Sequence, residues 1–133
     1  MENNKILIQH RTEVKRSKIH GFGVFAKEDI KRGDIIEECH FMSLPPQMYH
    51  TMKRWDLFRY VFHYPKNSPG EELVWPLGNG CIYNSSPTPN ADWETDTDKR
   101  IFIFVAIEDI KKGKEICTNY ENSINYCKEQ GLI

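Results

Sequence analysis

Gly78-Asn79-Gly80-Cys81-Ile82-Tyr83-Asn84-Ser85-Ser86-Pro87-Thr88-Pro89-Asn90 and, further on, Gly113-Lys114-Glu115-Ile116-Cys117-Thr118-Asn119-Tyr120 are the stretches that decide how this chain is read. The first is a turn-rich run centred on Asn84. Glycine, proline and asparagine so close together mark a backbone held in uncommon conformations, in loops that tend to carry function. The second is a charged turn, a short apolar run and a tyrosine. Between the two lies a strongly apolar strand signal, residues 101–107, so a fold that brings the segments together is expected.

Around them the chain reads as one domain, residues 1–133, long enough for a core and too short for two. Its 39% apolar and 12% aromatic content argues for a folded chain. With 18 basic and 19 acidic residues there is no basic field, which argues against nucleic acid as a direct partner. Cys39, Cys81, Cys117 and Cys127 form no C-x-x-C pair, and His10, His20, His40, His50 and His63 show no metal-ligand spacing, so no metal site is expected. No signal-peptide stretch or membrane-length run is visible, which points to a soluble intracellular protein with reduced thiols.

Strand signals dominate: residues 5–9, 24–26 after the Gly21-Phe22-Gly23 turn, one or two strands within 35–44, then 73–75, 81–83, 101–107 and 115–118. Pro45-Pro46 opens the one helical insert, about 45–64, where Met48, Met52, Trp55, Phe58 and Phe62 fall at helical spacing; its end, 61–64, also suits a strand. Residues 121–130 read as a short helix ended by Gly131. Glu28-Asp29-Ile30-Lys31-Arg32-Gly33 returns as Glu108-Asp109-Ile110-Lys111-Lys112-Gly113. Each follows an apolar strand and ends in glycine before another. The plain reading is two similar charged turns, since a period of 80 is too long for a solenoid.

In order, Gly21-Phe22-Gly23-Val24-Phe25-Ala26, Gly78-Asn79, Tyr83-Asn84-x-Ser86-x-x-Pro89-Asn90 and Gly113-x-Glu115-Ile116-x-x-Asn119-Tyr120 resemble the SET domain, the fold of protein-lysine methyltransferases that use S-adenosylmethionine. The resemblance covers residues 14–120 and is nearest to small free-standing bacterial and viral members, with Asn90-Ala91-Asp92-Trp93 continuing the middle motif as theirs does. It implies a mostly β, β-clip-like fold of small sheets, with one helical insert and a threaded, knot-like C-terminal segment, the tail being 121–133. It also implies methyl transfer from S-adenosylmethionine to the ε-amine of a lysine in a basic protein such as a histone. The protein would be a monomer or homodimer without a membrane, in the cytoplasm, or in a host nucleus if viral or secreted.

Residue by residue, the resemblance sets Gly21, Phe22 and Gly23 against the methionine part of the cofactor; taken alone, the glycines read rather as an ordinary hairpin pair, and their position relative to the other motifs reverses that. Asn84 can donate and accept at once, which suits an amino acid's ammonium or carboxylate, or a turn capped by its own side chain. Backbone groups of Tyr83 and Ser85 would read the adenine. Tyr120 corresponds to the tyrosine that lines the lysine channel and orients the amine. Thr118, Trp75 and Tyr126 are channel candidates, with core packing the alternative for Trp75, Tyr83, Phe22 and Tyr126. Glu115, Ile116, Pro89 and Asn90 read as structural. The attacking lysine must be neutral, against a free pKa of about 10.4, and a desolvated channel beside a sulfonium would lower that value.

The sequence departs from the family pattern in three places. Ser85 stands for the motif histidine, Thr118 for an aromatic residue, and Asn119 for an aspartate. The first leaves a second reading open, a non-catalytic SET module that binds a peptide or protein partner. Asp92, Glu94, Asp96 and Asp98 read as an acidic loop that would either steer a basic peptide or be merely solvated.

Overall fold

The computed structural model describes residues 11–48, 62–66, 72–119 and 129. Its strands are β1 (Thr12–Arg16), β2 (Phe22–Ala26), β3 (Ile35–Cys39), β4 (Phe41–Ser43), β5 (Phe62–Tyr64), β6 (Glu72–Pro76), β7 (Asn84–Ser85), β8 (Ala91–Asp96), β9 (Ile101–Ala106) and β10 (Glu115–Thr118), with a 3₁₀ turn at Pro46–Met48. They form three small sheets, ordered β1-β2-β10-β7, β3-β9-β8 and β4-β6-β5. This is the mostly β, small-sheet architecture expected.

β9 is apolar because it is the central strand of its sheet, with Ile101, Phe102, Phe104 and Ala106 all buried. Phe102 stacks on Trp93 at 5.3 Å between ring centres and meets Phe62 edge-on at 5.4 Å. That aromatic cluster joins the β4-β6-β5 sheet to the β8-β9 pair.

The two charged turns pair with each other. Ile30 and Ile110 exchange backbone hydrogen bonds of 2.8 and 2.7 Å, and the main-chain contacts around them recur with a shift of 80 positions. Gly33 N–H donates to Ala106 O and Gly113 N–H to Ala26 O, both at 2.8 Å. The Asp109 side chain accepts from Arg32 N–H at 2.9 Å, and the Asp29 side chain from Lys112 N–H at 2.8 Å. Gly33 and Gly113 have φ of 89° and 88°, where a side chain would be strained. The echo is therefore the axis of a pseudo-two-fold, more than two similar turns. It relates β1-β2-β10 to β8-β9-β3.

Three local expectations differ. Residues 81–83 are turn, and the strand begins at Asn84, because Gly80 N–H and Ile82 N–H close successive tight turns onto Leu77 O and Asn79 O. Residues 62–64 form β5, since pairing with Glu72–Val74 of β6 outweighs helical spacing at the end of the insert. Residues 91–96 form β8, with Ala91 and Trp93 inward and Asp92 and Glu94 outward. The expected strand at 5–9, most of the helical insert and nearly all of the C-terminal helix lie outside the described residues. Among those described, no helix is long and apolar enough to cross a membrane.

Candidate active site

β10 lies between β2 and β7 and pairs with them in opposite senses. It is antiparallel to β2 through Glu115–Phe25 and Ile116–Val24, and parallel to β7 through Cys117–Asn84 and Thr118–Ser85. Ser86 N–H continues the ladder to Thr118 O at 2.8 Å. The two opening segments are thereby joined. Asn90 fixes β10 from the far side by imitating a strand: its Nδ2 donates to Glu115 O and its Oδ1 accepts from Cys117 N–H, both at 2.9 Å. That is the loop-shaping role read from the sequence.

Asn84 is buried at 6% exposure. Its Nδ2 faces three acceptors: His20 O at 3.1 Å, Phe22 O at 3.2 Å and Glu115 Oε2 at 2.8 Å. Glu115 Oε1 accepts from Ser17 Oγ at 2.6 Å, and that oxygen in turn accepts from Ile19 N–H at 2.9 Å. Loop 17–22 is thus drawn down onto the Asn84–Glu115 pair. Gly23 makes the approach possible: a Cβ there would lie 2.9 Å from Glu115 Cδ, nearer still to Oε2, and 3.1 Å from Asn84 Nδ2. Gly21 turns the loop with φ of 50°, and its carbonyl accepts from Ser17 N–H at 2.8 Å.

Beside this cluster is a recess of about 230 Å³ lined by Ser85, Ser86, Pro87 and Asn119. Thr118, fully buried, ends β10 next to it, and its Oγ1 has no hydrogen-bond partner. Trp75 sits on β6 opposite Met42, with its Nε1 enclosed and also unpartnered. Phe22 is 55% exposed, with the Arg16 guanidinium 5.3 Å from its ring centre. Tyr83 takes a core place: its ring stacks on Phe104 at 4.5 Å and its hydroxyl donates to Glu37 at 2.5 Å. Burial and the Glu37 charge push that phenol well above its ordinary pKa. Tyr120 and Tyr126 lie outside the described residues.

The SET domain family model matches residues 21–121. The chain belongs to the SET-domain family. A histone-lysine N-methyltransferase of Schizosaccharomyces pombe, specific for H3 lysine 37, is 24% identical over 115 residues, covering 86% of this chain and 76% of that protein. A Plasmodium falciparum protein assigned as a histone methyltransferase superposes with a TM-score of 0.68 and 32% identity, covering 85% of this chain and 95% of that one. The Neurospora SET domain protein DIM-5, a histone lysine methyltransferase, shares the fold with a TM-score of 0.61 at 22% identity, over 82% of this chain and 51% of that one.

Within this SET domain the sequence reading left Ser17 unnoticed, although a serine four residues before Gly21 is the signal of a side chain that closes its own loop. The acidic run also behaves differently from a free loop. Lys66 Nζ lies 2.8 Å from Asp92 and 3.6 Å from Glu94, so two of its carboxylates are matched inside the fold. Glu72 is held by Arg100 at 2.7 Å and by Ser43; burial pushes its pKa up, but these bonds outweigh it and keep the carboxyl below its ordinary value.

Proposed function

We propose that this SET domain transfers a methyl group from S-adenosylmethionine to the ε-amine of a lysine in a protein substrate. The observation that carries the reading is the parallel β7–β10 pair, which sets Asn84 and Ser85 beside Cys117 and Thr118. The site's chemistry fits the cofactor. Two backbone carbonyls and a carboxylate oxygen converge on Asn84, three acceptors for two N–H bonds, and such an excess of acceptors favours an ammonium like that of a methionine moiety. The recess lined by Ser85, Ser86, Pro87 and Asn119 lies beside that cluster, where a flat heterocycle such as adenine would sit.

When bound, the cofactor supplies a methyl group on a positively charged sulfur, open to in-line attack. Gly21, Phe22 and Gly23 bound the methionine end, and Asn84 and Glu115 hold that loop in place. Ser85 lines the adenine side through its backbone. Thr118 closes the floor where β10 ends, and Tyr120, two residues on, orients the incoming amine. Trp75 and Tyr126 wall the channel and exclude water. The kinship with histone-lysine methyltransferases supports a basic protein tail as substrate class, with residues 14–120 as the catalytic core.

The test is incubation with methyl-labelled cofactor and mixed basic proteins, comparing wild type with Tyr120→Phe, beside calorimetric binding of S-adenosylmethionine. Transfer by wild type, reduced at least about 100-fold in the variant with cofactor binding intact, is expected. Binding without transfer by wild type would favour the non-catalytic module, and no binding at all would remove the role given to Asn84.

A further inference from the structure

β1 is the outer strand of the four-stranded sheet, and it is exposed along most of its length. Lys27 N–H donates to Arg11 O and Ser17 N–H to Gly21 O, both at 2.8 Å, so the odd-numbered positions are the ones hydrogen-bonded to β2. The alternation of an antiparallel ladder then turns the N–H and C=O of Thr12, Val14 and Arg16 outward. The pseudo-two-fold counterpart, β8, is treated differently. Its outer face is capped by Lys66, whose Nζ donates to Trp93 O at 2.5 Å and whose backbone N–H donates to Thr95 Oγ1 at 3.0 Å. Among the described residues, one of the two equivalent edges is closed and the other open.

Edge strands are commonly guarded by lone lysines that repel a second copy. β1 carries a different pattern, Thr12-Glu13-Val14-Lys15-Arg16, which is charge-complementary to itself when reversed. Two copies antiparallel about Val14 would set Glu13 opposite the partner copy's lysine at position 15, and Lys15 opposite its glutamate at position 13. Those positions are non-hydrogen-bonded pairs, where side chains approach most closely. Val14 would meet Val14, and Thr12 would meet Arg16, through the outward main-chain groups. Glu13 and Lys15 are each 49% exposed, 3.4 Å apart on one face, and Val14 is 43% exposed.

The geometry points to a symmetric homodimer formed by β1 pairing with β1 of a second copy, joining two four-stranded sheets into one of eight strands. The interface is isologous, as a closed pair requires. The site strands β10 and β7 lie on the far side of β2 and stay uncovered, so this association is independent of whether methyl transfer occurs.

The test is sedimentation analysis of wild type and charge variants at rising concentration. Wild type is expected to dimerise with a Kd in the micromolar range, more weakly at high salt. Glu13→Lys alone and Lys15→Glu alone each set like charges opposite one another, and each should weaken self-association at least about 30-fold, or about 2 kcal/mol. Mixing these two variants should give a heterodimer, and the double reversal should restore the homodimer. Val14→Pro, which removes an outward N–H and leaves the β2 ladder untouched, should give a folded monomer. The proposal is overturned by a wild type monomeric at about 1 mM, or by a dimer indifferent to all these changes. It is also overturned by a monomer whose Val14 amide is protected from exchange, which would mean the chain covers its own edge.

Discussion

Replacing Gly23 by alanine tests the candidate site at its tightest point. The backbone at Gly23 is not in the left-handed region, so alanine would carry no conformational strain there. The cost is steric. The new methyl would lie 2.9 Å from Glu115 Cδ and closer to Oε2, with Asn84 Nδ2 at 3.1 Å. Glu115 can yield only by leaving Asn84 at 2.8 Å and Ser17 at 2.6 Å. Hydrogen bonds to a charged group are worth about 1.5–3 kcal/mol each, and partial re-solvation would return some of that, so a net loss of about 2–3 kcal/mol is expected. For a chain of this size that corresponds to a fall in Tm of roughly 10 °C. Loop 17–22 would also loosen, weakening S-adenosylmethionine binding at least about tenfold on the proposed function. The assay is a double-mutant cycle of Gly23→Ala and Glu115→Ala, with stability from urea unfolding and affinity from calorimetry. If Gly23→Ala costs as much without the Glu115 carboxylate as with it, the clash is not the cause and the reasoning fails.

Asn90→Ala removes the side chain that pins Glu115 O and Cys117 N–H of β10, and should cost about 2 kcal/mol in urea unfolding, whereas Asn90→Asp should lose mainly the donor half. Burial holds the His63 imidazole below its ordinary pKa, so the unfolded chain takes up the proton first. Stability should therefore be level above about pH 6.5 and fall as pH drops below it toward the folded value, and His63→Gln should flatten that fall in denaturation curves taken across the range. Burial pushes the Cys81 and Cys117 thiols up to about 11, and Cys39 further with Glu37 beside it. Peptide mapping at about pH 8 should find these three alkylated at least about 100-fold more slowly in the native than in the denatured chain.

The legible parts of the sequence were those where a single residue type has one structural use. Gly33 and Gly113 end turns at positive φ, and β9 carries an unbroken apolar run because both its faces are covered. β1 was not legible: only Val14 is apolar among its five residues, so no alternation announces a strand that meets solvent along most of its length. β8 was hidden by its acidic outward positions, which looked like a loop until Ala91 and Trp93 were seen to face in. Asn84 was visible from its motif, but its partners were not. His20, Phe22 and Glu115 meet it, and Ser17 meets Glu115, only through the β2–β10 pairing, across sequence separations no local pattern can span.

The pseudo-two-fold also explains why the site occurs once. β10 and β3 are equivalent strands, with Ile116 and Ile36 fully buried at matching positions. Among the described residues only β10 carries a further strand, β7, and that pair is parallel. A parallel pair cannot be joined by a tight turn and needs a long crossover. Here the crossover is the second half of the repeat itself, β8 and β9 with their turn. The residue on β10 that faces Asn84 and Ser17 is Glu115, while the equivalent position of β3 is Ile35. Glu115→Ile would therefore copy the first half into the second. The strand pairing with β2 should survive, because it rests on main-chain bonds and on Ile116. Asn84 and Ser17 would lose their shared carboxylate, at about 1–3 kcal/mol of stability. S-adenosylmethionine affinity should fall by at least about tenfold, while urea unfolding stays a single cooperative transition. A variant that unfolds outright would mean that the carboxylate builds the sheet. One that binds the cofactor as tightly as wild type would mean that the site does not depend on where the symmetry is broken.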